Sequence, residues 1–108
     1  MSRFSDALER LNATIEARKG ADPKSSYTAL LLSQGVERTA KKFGEEAVEV
    51  VISAVQGDPD GLAGESADLI YHFLVLLAGS GVSLDDIAAQ LERREGTSGL
   101  QEKAARDA

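Results

Sequence analysis

Between Leu62 and Ala78 this chain is apolar on nearly every side of a helix. Leu69, Ile70, Phe73, Leu74, Leu76 and Leu77 point in almost all directions at roughly 100° per residue, so a helix here has no face suited to water. It must be buried all round, and the 108-residue chain offers only one other long helical segment to cover it. The pattern therefore predicts an all-α fold of two long antiparallel helices with short satellites. A second copy supplies the missing cover, making a homodimer, or a higher homo-oligomer, around a four-helix-bundle core.

The rest of the chain is punctuated as a helical protein. Phe4, Leu8, Leu11 and Ile15 recur at three- and four-residue steps and predict an amphipathic helix over Phe4 to Arg18, ended by Gly20. KGADPKSS is a loop whose Ser25 or Ser26 caps a short helix from Tyr27 to Ser33, closed at Gly35. Val36 to Val55 is the first long helix, with Val48, Val51, Ile52 and Val55 as its expected core stripe. Asp58 caps the next, with Pro59 at its first position. Gly79 and Gly81 end the apolar helix, and Ser83 with Asp86 forms a capping box for a last helix to about Glu95. The tail GTSGLQEKAARDA is polar, with a turn or two of helix after Gly99. No strand-like alternation and no repeat interrupts this, so residues 1–108 read as one all-α domain with a polar tail over 96–108.

Composition removes several classes. There is no Cys, which excludes disulfides and thiolate metal sites and fits a reducing cytoplasm, and a single His excludes a multi-histidine site within one chain. The first twenty residues are charged and amphipathic, unlike a signal peptide. The longest apolar run, Phe73 to Gly79, is far shorter than a membrane span. A net charge of −6 and only three Phe and two Tyr argue against nucleic-acid binding. They do not argue against a nucleotide substrate, because a bound divalent ion reverses the local sign.

The chemistry lies in carboxylates set at helical spacing. Glu46 and Glu49 in GEEAVEVV, then Glu65 and Asp68 in ESADLIYHFLVLL, each put two acids about 60° apart on one helix face. Carboxylates grouped among Ala, Val, Ile and Leu repel one another unless a cation sits between them. Oxygen-only donors on facing helices suit Mg²⁺, with Mn²⁺ as a substitute. A solvated charged face explains Glu45, Glu46 and Glu49 beside Arg38, Lys41 and Lys42 almost as well. It does not explain Glu65 and Asp68, since no Lys or Arg occurs between residues 43 and 92. Arg38 and Lys42 lie within about 60° of Glu45 on the wheel, one or two turns upstream. That order suits a polyphosphate, cations gripping the phosphates while carboxylates hold the metal, although the same cations also balance the glutamates. Gly44 allows close approach within the helix, His72 reads as a core or interface histidine, and Tyr71 reads as packing. No phosphate-binding loop or dinucleotide fingerprint is present.

With these residues in view, the chain resembles the phosphoribosyl-ATP pyrophosphatase family, within the MazG-like all-α nucleoside triphosphate pyrophosphohydrolases. The pattern E-x-x-E, spacer, E-x-x-D falls on Glu46, Glu49, Glu65 and Asp68. SYTALLLSQG, KKFGEEAVEVV, ESADLIYHFLVLL and LERREGTSGLQEKAAR extend the likeness from about residue 26 to residue 106. The resemblance implies Mg²⁺-dependent hydrolysis of 1-(5-phosphoribosyl)-ATP to the corresponding AMP and pyrophosphate, the second step of histidine biosynthesis. It implies Glu46, Glu49, Glu65 and Asp68 as metal ligands, with Glu45 either a further ligand or the base that orients the water. Arg38, Lys41 and Lys42 are the candidate phosphate contacts. The additional phosphate of the phosphoribosyl group needs another cation, for which Lys24, Lys103 and Arg106 are the candidates. Ser98, Gly99, Lys103 and Arg106 match a tail motif, read either as a mobile polar end or as a flap over the substrate. Two alternatives stay open: a MazG-type house-cleaning dNTP pyrophosphohydrolase using the same acids, and a non-catalytic helical module whose acidic face meets a basic partner.

Overall fold

A computed structural model describes residues 2–107, the side chain of Glu102 excepted, so the two end residues of the expected 1–108 domain lie outside the described residues. Among the described residues there are six helices and no strand: α1 (Arg3–Ala17), α2 (Tyr27–Ser33), α3 (Val36–Val55), α4 (Pro59–Ser80), α5 (Leu84–Arg93) and α6 (Gly99–Asp107). Side-chain caps start five of the six. Ser2 accepts from the Ser5 N–H, Ser26 from Ala29, Asp58 from Gly61 and Ser83 from Asp86, each at 3.0–3.1 Å. The Asp86 carboxylate accepts in return from the Ser83 N–H at 2.9 Å, completing the expected box. A second reciprocal pair, missed in the sequence, starts α6: Ser98 Oγ accepts from the Gln101 N–H, and Gln101 Oε1 accepts from the Ser98 N–H.

The apolar helix is longer than its hydrophobic run. Pro59 tolerates the first turn because its missing N–H has no helical partner there. The helix passes through Gly79 and stops at Gly81, whose φ of 72° is the left-handed cap that only glycine adopts cheaply. By length and composition α4 is apolar enough to cross a membrane. It carries Glu65 and Asp68 within its length, however, and packs along α3 as the second arm of a hairpin with linker 56–58. Pairings run in opposite order on the two arms: Phe43 meets Phe73, with ring centroids 5.6 Å apart, and Glu46 meets His72.

The core forms where α1 and α2 close on the second half of α4. Ile15, Leu31, Leu74, Val75 and Ala78 are buried there, with Leu8, Leu11, Leu32, Ile70 and Leu77 packed around them. The expected core stripe of α3 is not part of it. Val48, Val51, Ile52 and Val55 are 44–82% exposed in the single chain. Thr39, Phe43, Glu46, Val50 and Ser53 face α4 instead, a line of alternating four- and three-residue steps on the opposite side of the helix, with Ala47 beside it. Both faces of α3 are apolar, and periodicity cannot say which one a neighbour takes. The same holds for α4: it is buried along His72, Leu74, Val75 and Ala78 rather than on every side.

Candidate active site

The hairpin carries its acids toward the seam between its arms. One oxygen from each of Glu46, Glu65 and Asp68 lies within 4.8 Å of the others. Glu46 comes from the line of α3 that faces α4, whereas Glu65 and Asp68 sit one turn apart on α4, so the cluster exists only when the two helices pair. Glu49 is exposed and lies outside this trio, yet its charge acts on Glu65. Partial desolvation, then the charges of Glu49, Asp68 and Glu46, raise the Glu65 carboxyl above its ordinary value. Like charges this close disfavour one another's ionised form, adding to the effect of desolvation.

Basic groups border the cluster on one side. Lys42 Nζ lies 3.6 Å from Glu46 Oε1, and His72 Nε2 lies 3.8 Å from the same oxygen. His72 is buried, and desolvation lowers its pKa although Glu46 pulls the other way, so the ring is neutral at neutral pH. The sequence assigned His72 to core or interface; it is indeed buried, but against an acid of the cluster. Arg38, Lys41, Lys42 and Glu45, from successive turns of α3, line one wall of a cavity of about 280 Å³. Tyr27, Leu31 and Gln34, from α2 and its C-cap, line the other.

The sequence did not single out these α2 residues, although they lie in the SYTALLLSQG segment. Helix periodicity explains Leu31 as core, and nothing local tells Tyr27 or Gln34 from solvated positions. Lys24, Lys103 and Arg106 do not line the cavity. Lys24 sits on the α1–α2 loop, with its N–H donating to Asp22 Oδ1 at 2.9 Å. Lys103 and Arg106 are on α6, and both are exposed.

A helical hairpin with an oxygen-only acid cluster beside a cavity lined by three basic side chains defines the class: an all-α protein with carboxylates and cations gathered along one helix pair. A family profile described as "Phosphoribosyl-ATP pyrophosphohydrolase" (PRA-PH) matches residues 8–95, and the chain belongs to that family, whose members are hydrolases. It is similar to the phosphoribosyl-ATP pyrophosphatase of Caulobacter sp., with 65% identity over 106 residues, 98% of each chain. It is 64% identical to the enzyme of that name from Cereibacter sphaeroides over 99 residues, 92% of this chain and 96% of the relative. The Jannaschia sp. protein of the same name is 65% identical over 99 residues, 92% of this chain and 97% of its own.

Proposed function

We propose that this chain hydrolyses the α–β phosphoanhydride of 1-(5-phosphoribosyl)-ATP, releasing pyrophosphate and 1-(5-phosphoribosyl)-AMP in the second step of histidine biosynthesis. The convergence of Glu46, Glu65 and Asp68 within 4.8 Å, beside a cavity lined by cations, carries the reading. Family membership and the names of relatives at about two-thirds identity support the substrate.

The donor set fits Mg²⁺: three carboxylates, all oxygen, of which Glu65 is raised by desolvation and then by the charges of Glu49, Asp68 and Glu46. Glu46, Glu65 and Asp68 would hold the ion, and Glu49, whose charge already acts on Glu65, would be the fourth donor. Bound there, the ion would neutralise phosphate charge as the anhydride breaks. Arg38, Lys41 and Lys42 bind the phosphates and orient the chain of phosphorus atoms along α3. Glu45 lines the cavity rather than joining the acid trio, which favours the role of base over that of ligand. Its carboxylate takes the proton as water adds to phosphorus and the bond to the departing pyrophosphate breaks.

The exposed stripe of Val48, Val51, Ile52 and Val55 supports assembly as a homodimer, in which a second copy covers the outer face of α3. The absence of Cys and the biosynthetic role suit the cytoplasm.

The direct test incubates the purified protein with phosphoribosyl-ATP, ATP and the dNTPs, with Mg²⁺ or with EDTA, and identifies the products. Pyrophosphate and phosphoribosyl-AMP should appear only with the metal. Faster cleavage of dCTP or dUTP would make it a house-cleaning enzyme instead. No turnover of any nucleotide would leave the non-catalytic module.

A further inference from the structure

Tyr27 is 56% exposed at the first position of α2, yet its backbone is held from both sides. The Ser26 side chain caps the helix by accepting from the Ala29 N–H at 3.1 Å. Thr28 Oγ1 is hydrogen-bonded to the Tyr71 hydroxyl of α4 at 2.5 Å. An aromatic ring that packs in no core, but is carried by a fixed backbone, is a preorganised contact surface.

The cavity it lines has two chemically different walls. Arg38, Lys41 and Lys42 on α3 suit phosphate oxygens. Tyr27 and Leu31 on α2, with Gln34 at its C-cap, offer a π face, the accessible edge of a largely buried aliphatic side chain and an amide. An inorganic phosphate chain gains nothing from a ring and a leucine. A purine gains from all three, because its faces stack and its edge carries donors and acceptors.

We propose that the α2 wall is the purine subsite: Tyr27 stacks on the adenine ring of the substrate, and the Gln34 amide hydrogen-bonds the base edge. This rests on the function proposed above and adds a polarity to it. The nucleoside-monophosphate end lies over α2, its phosphates meet Arg38, Lys41 and Lys42, and pyrophosphate departs from the far side of the acid cluster.

Calorimetric titration of the full-length wild type, Tyr27→Ala and Tyr27→Phe, in Mg²⁺ buffer, separates the two product halves. Phosphoribosyl-AMP should bind Tyr27→Ala about ten- to a hundred-fold more weakly than wild type. Tyr27→Phe, which keeps the stacking face, should stay within about twofold, and inorganic pyrophosphate should bind all three alike. Unchanged phosphoribosyl-AMP affinity in Tyr27→Ala overturns the subsite. So does no measurable phosphoribosyl-AMP binding to the wild type, or an equal loss of pyrophosphate affinity, which would mean that the cavity holds the leaving group. A wild type that binds phosphoribosyl-AMP through Tyr27 but does not hydrolyse phosphoribosyl-ATP would refute the proposed function and leave the subsite standing.

Discussion

His72 Nε2 on α4 lies 3.8 Å from Oε1 of Glu46 on α3, and the same oxygen lies 3.6 Å from Lys42 Nζ. One carboxylate of the acid cluster thus faces a buried neutral imidazole from one helix and an ammonium from its own.

The His72 contact sets a pH dependence of stability. Burial holds the imidazole below its ordinary value of 6.5, against the opposing pull of Glu46. Below pH 6.5 the unfolded chain therefore binds a proton that the folded chain refuses, and stability is lost as pH falls toward the folded value. Glu65 works in the opposite sense. Its raised carboxyl makes the metal-free fold gain stability as pH falls through the folded value. Comparing wild type with His72→Gln isolates the histidine: the variant should lack that acid loss. Melting temperatures between about pH 7.5 and pH 4.5, without metal, should show the wild type's advantage shrinking below pH 6.5. A difference that does not change with pH would contradict a neutral buried His72.

Asp68→Asn should separate activity from folding. It removes one charge from a repelling trio, so the metal-free melting temperature should stay level or rise slightly. Turnover of phosphoribosyl-ATP should fall by about a hundred-fold or more, the usual scale for losing a group that stabilises charge in the transition state. Near-normal kcat/KM with Mg²⁺ would remove Asp68 from the metal set.

Two apolar positions should respond differently, one lying in the chain's own core and the other on the face that the proposed dimer covers. Leu74 is fully buried in the chain's own core, so Leu74→Ala should cost about 2–5 kcal/mol in chemical denaturation. Val51 is 59% exposed on the outer stripe of α3. Val51→Glu should leave each chain helical but move the sedimentation coefficient to that of a monomer. A Val51→Glu protein that remains dimeric would put the interface elsewhere.

The cations should also divide by position. Arg38 lines the cavity, whereas Lys24 lies on the α1–α2 loop outside it. A charge-assisted contact is worth about 1.5–3 kcal/mol, so Arg38→Gln should lower kcat/KM about ten- to a hundred-fold. Lys24→Gln should change it less than about threefold at moderate salt. Steady-state kinetics in which Lys24→Gln is the more damaging change would return the phosphate contact to the loop.

Much of this protein was determined by local sequence. Ser26, Asp58 and Ser83 cap helices because a short side-chain oxygen reaches a free N–H within the same turn, a matter of adjacent residues. For the same reason the bounds of α2 and α3 could be read from Ser26, Gly35 and the apolar period. The spacing of Glu46 with Glu49, and of Glu65 with Asp68, was also legible, since both pairs are set by helix geometry alone. Packing decided the rest. Which face of α3 turns inward depends on competition between two apolar stripes for one neighbour, and only the paired helices show Phe43, Ala47 and Val50 winning. The same pairing sets Glu46 with Glu65 and Asp68, leaves Glu49 outside the trio, and brings buried His72 to Glu46. It also makes one cavity from Tyr27 on α2 and Arg38 on α3, because a distance across helices is a property of their packing and not of either segment.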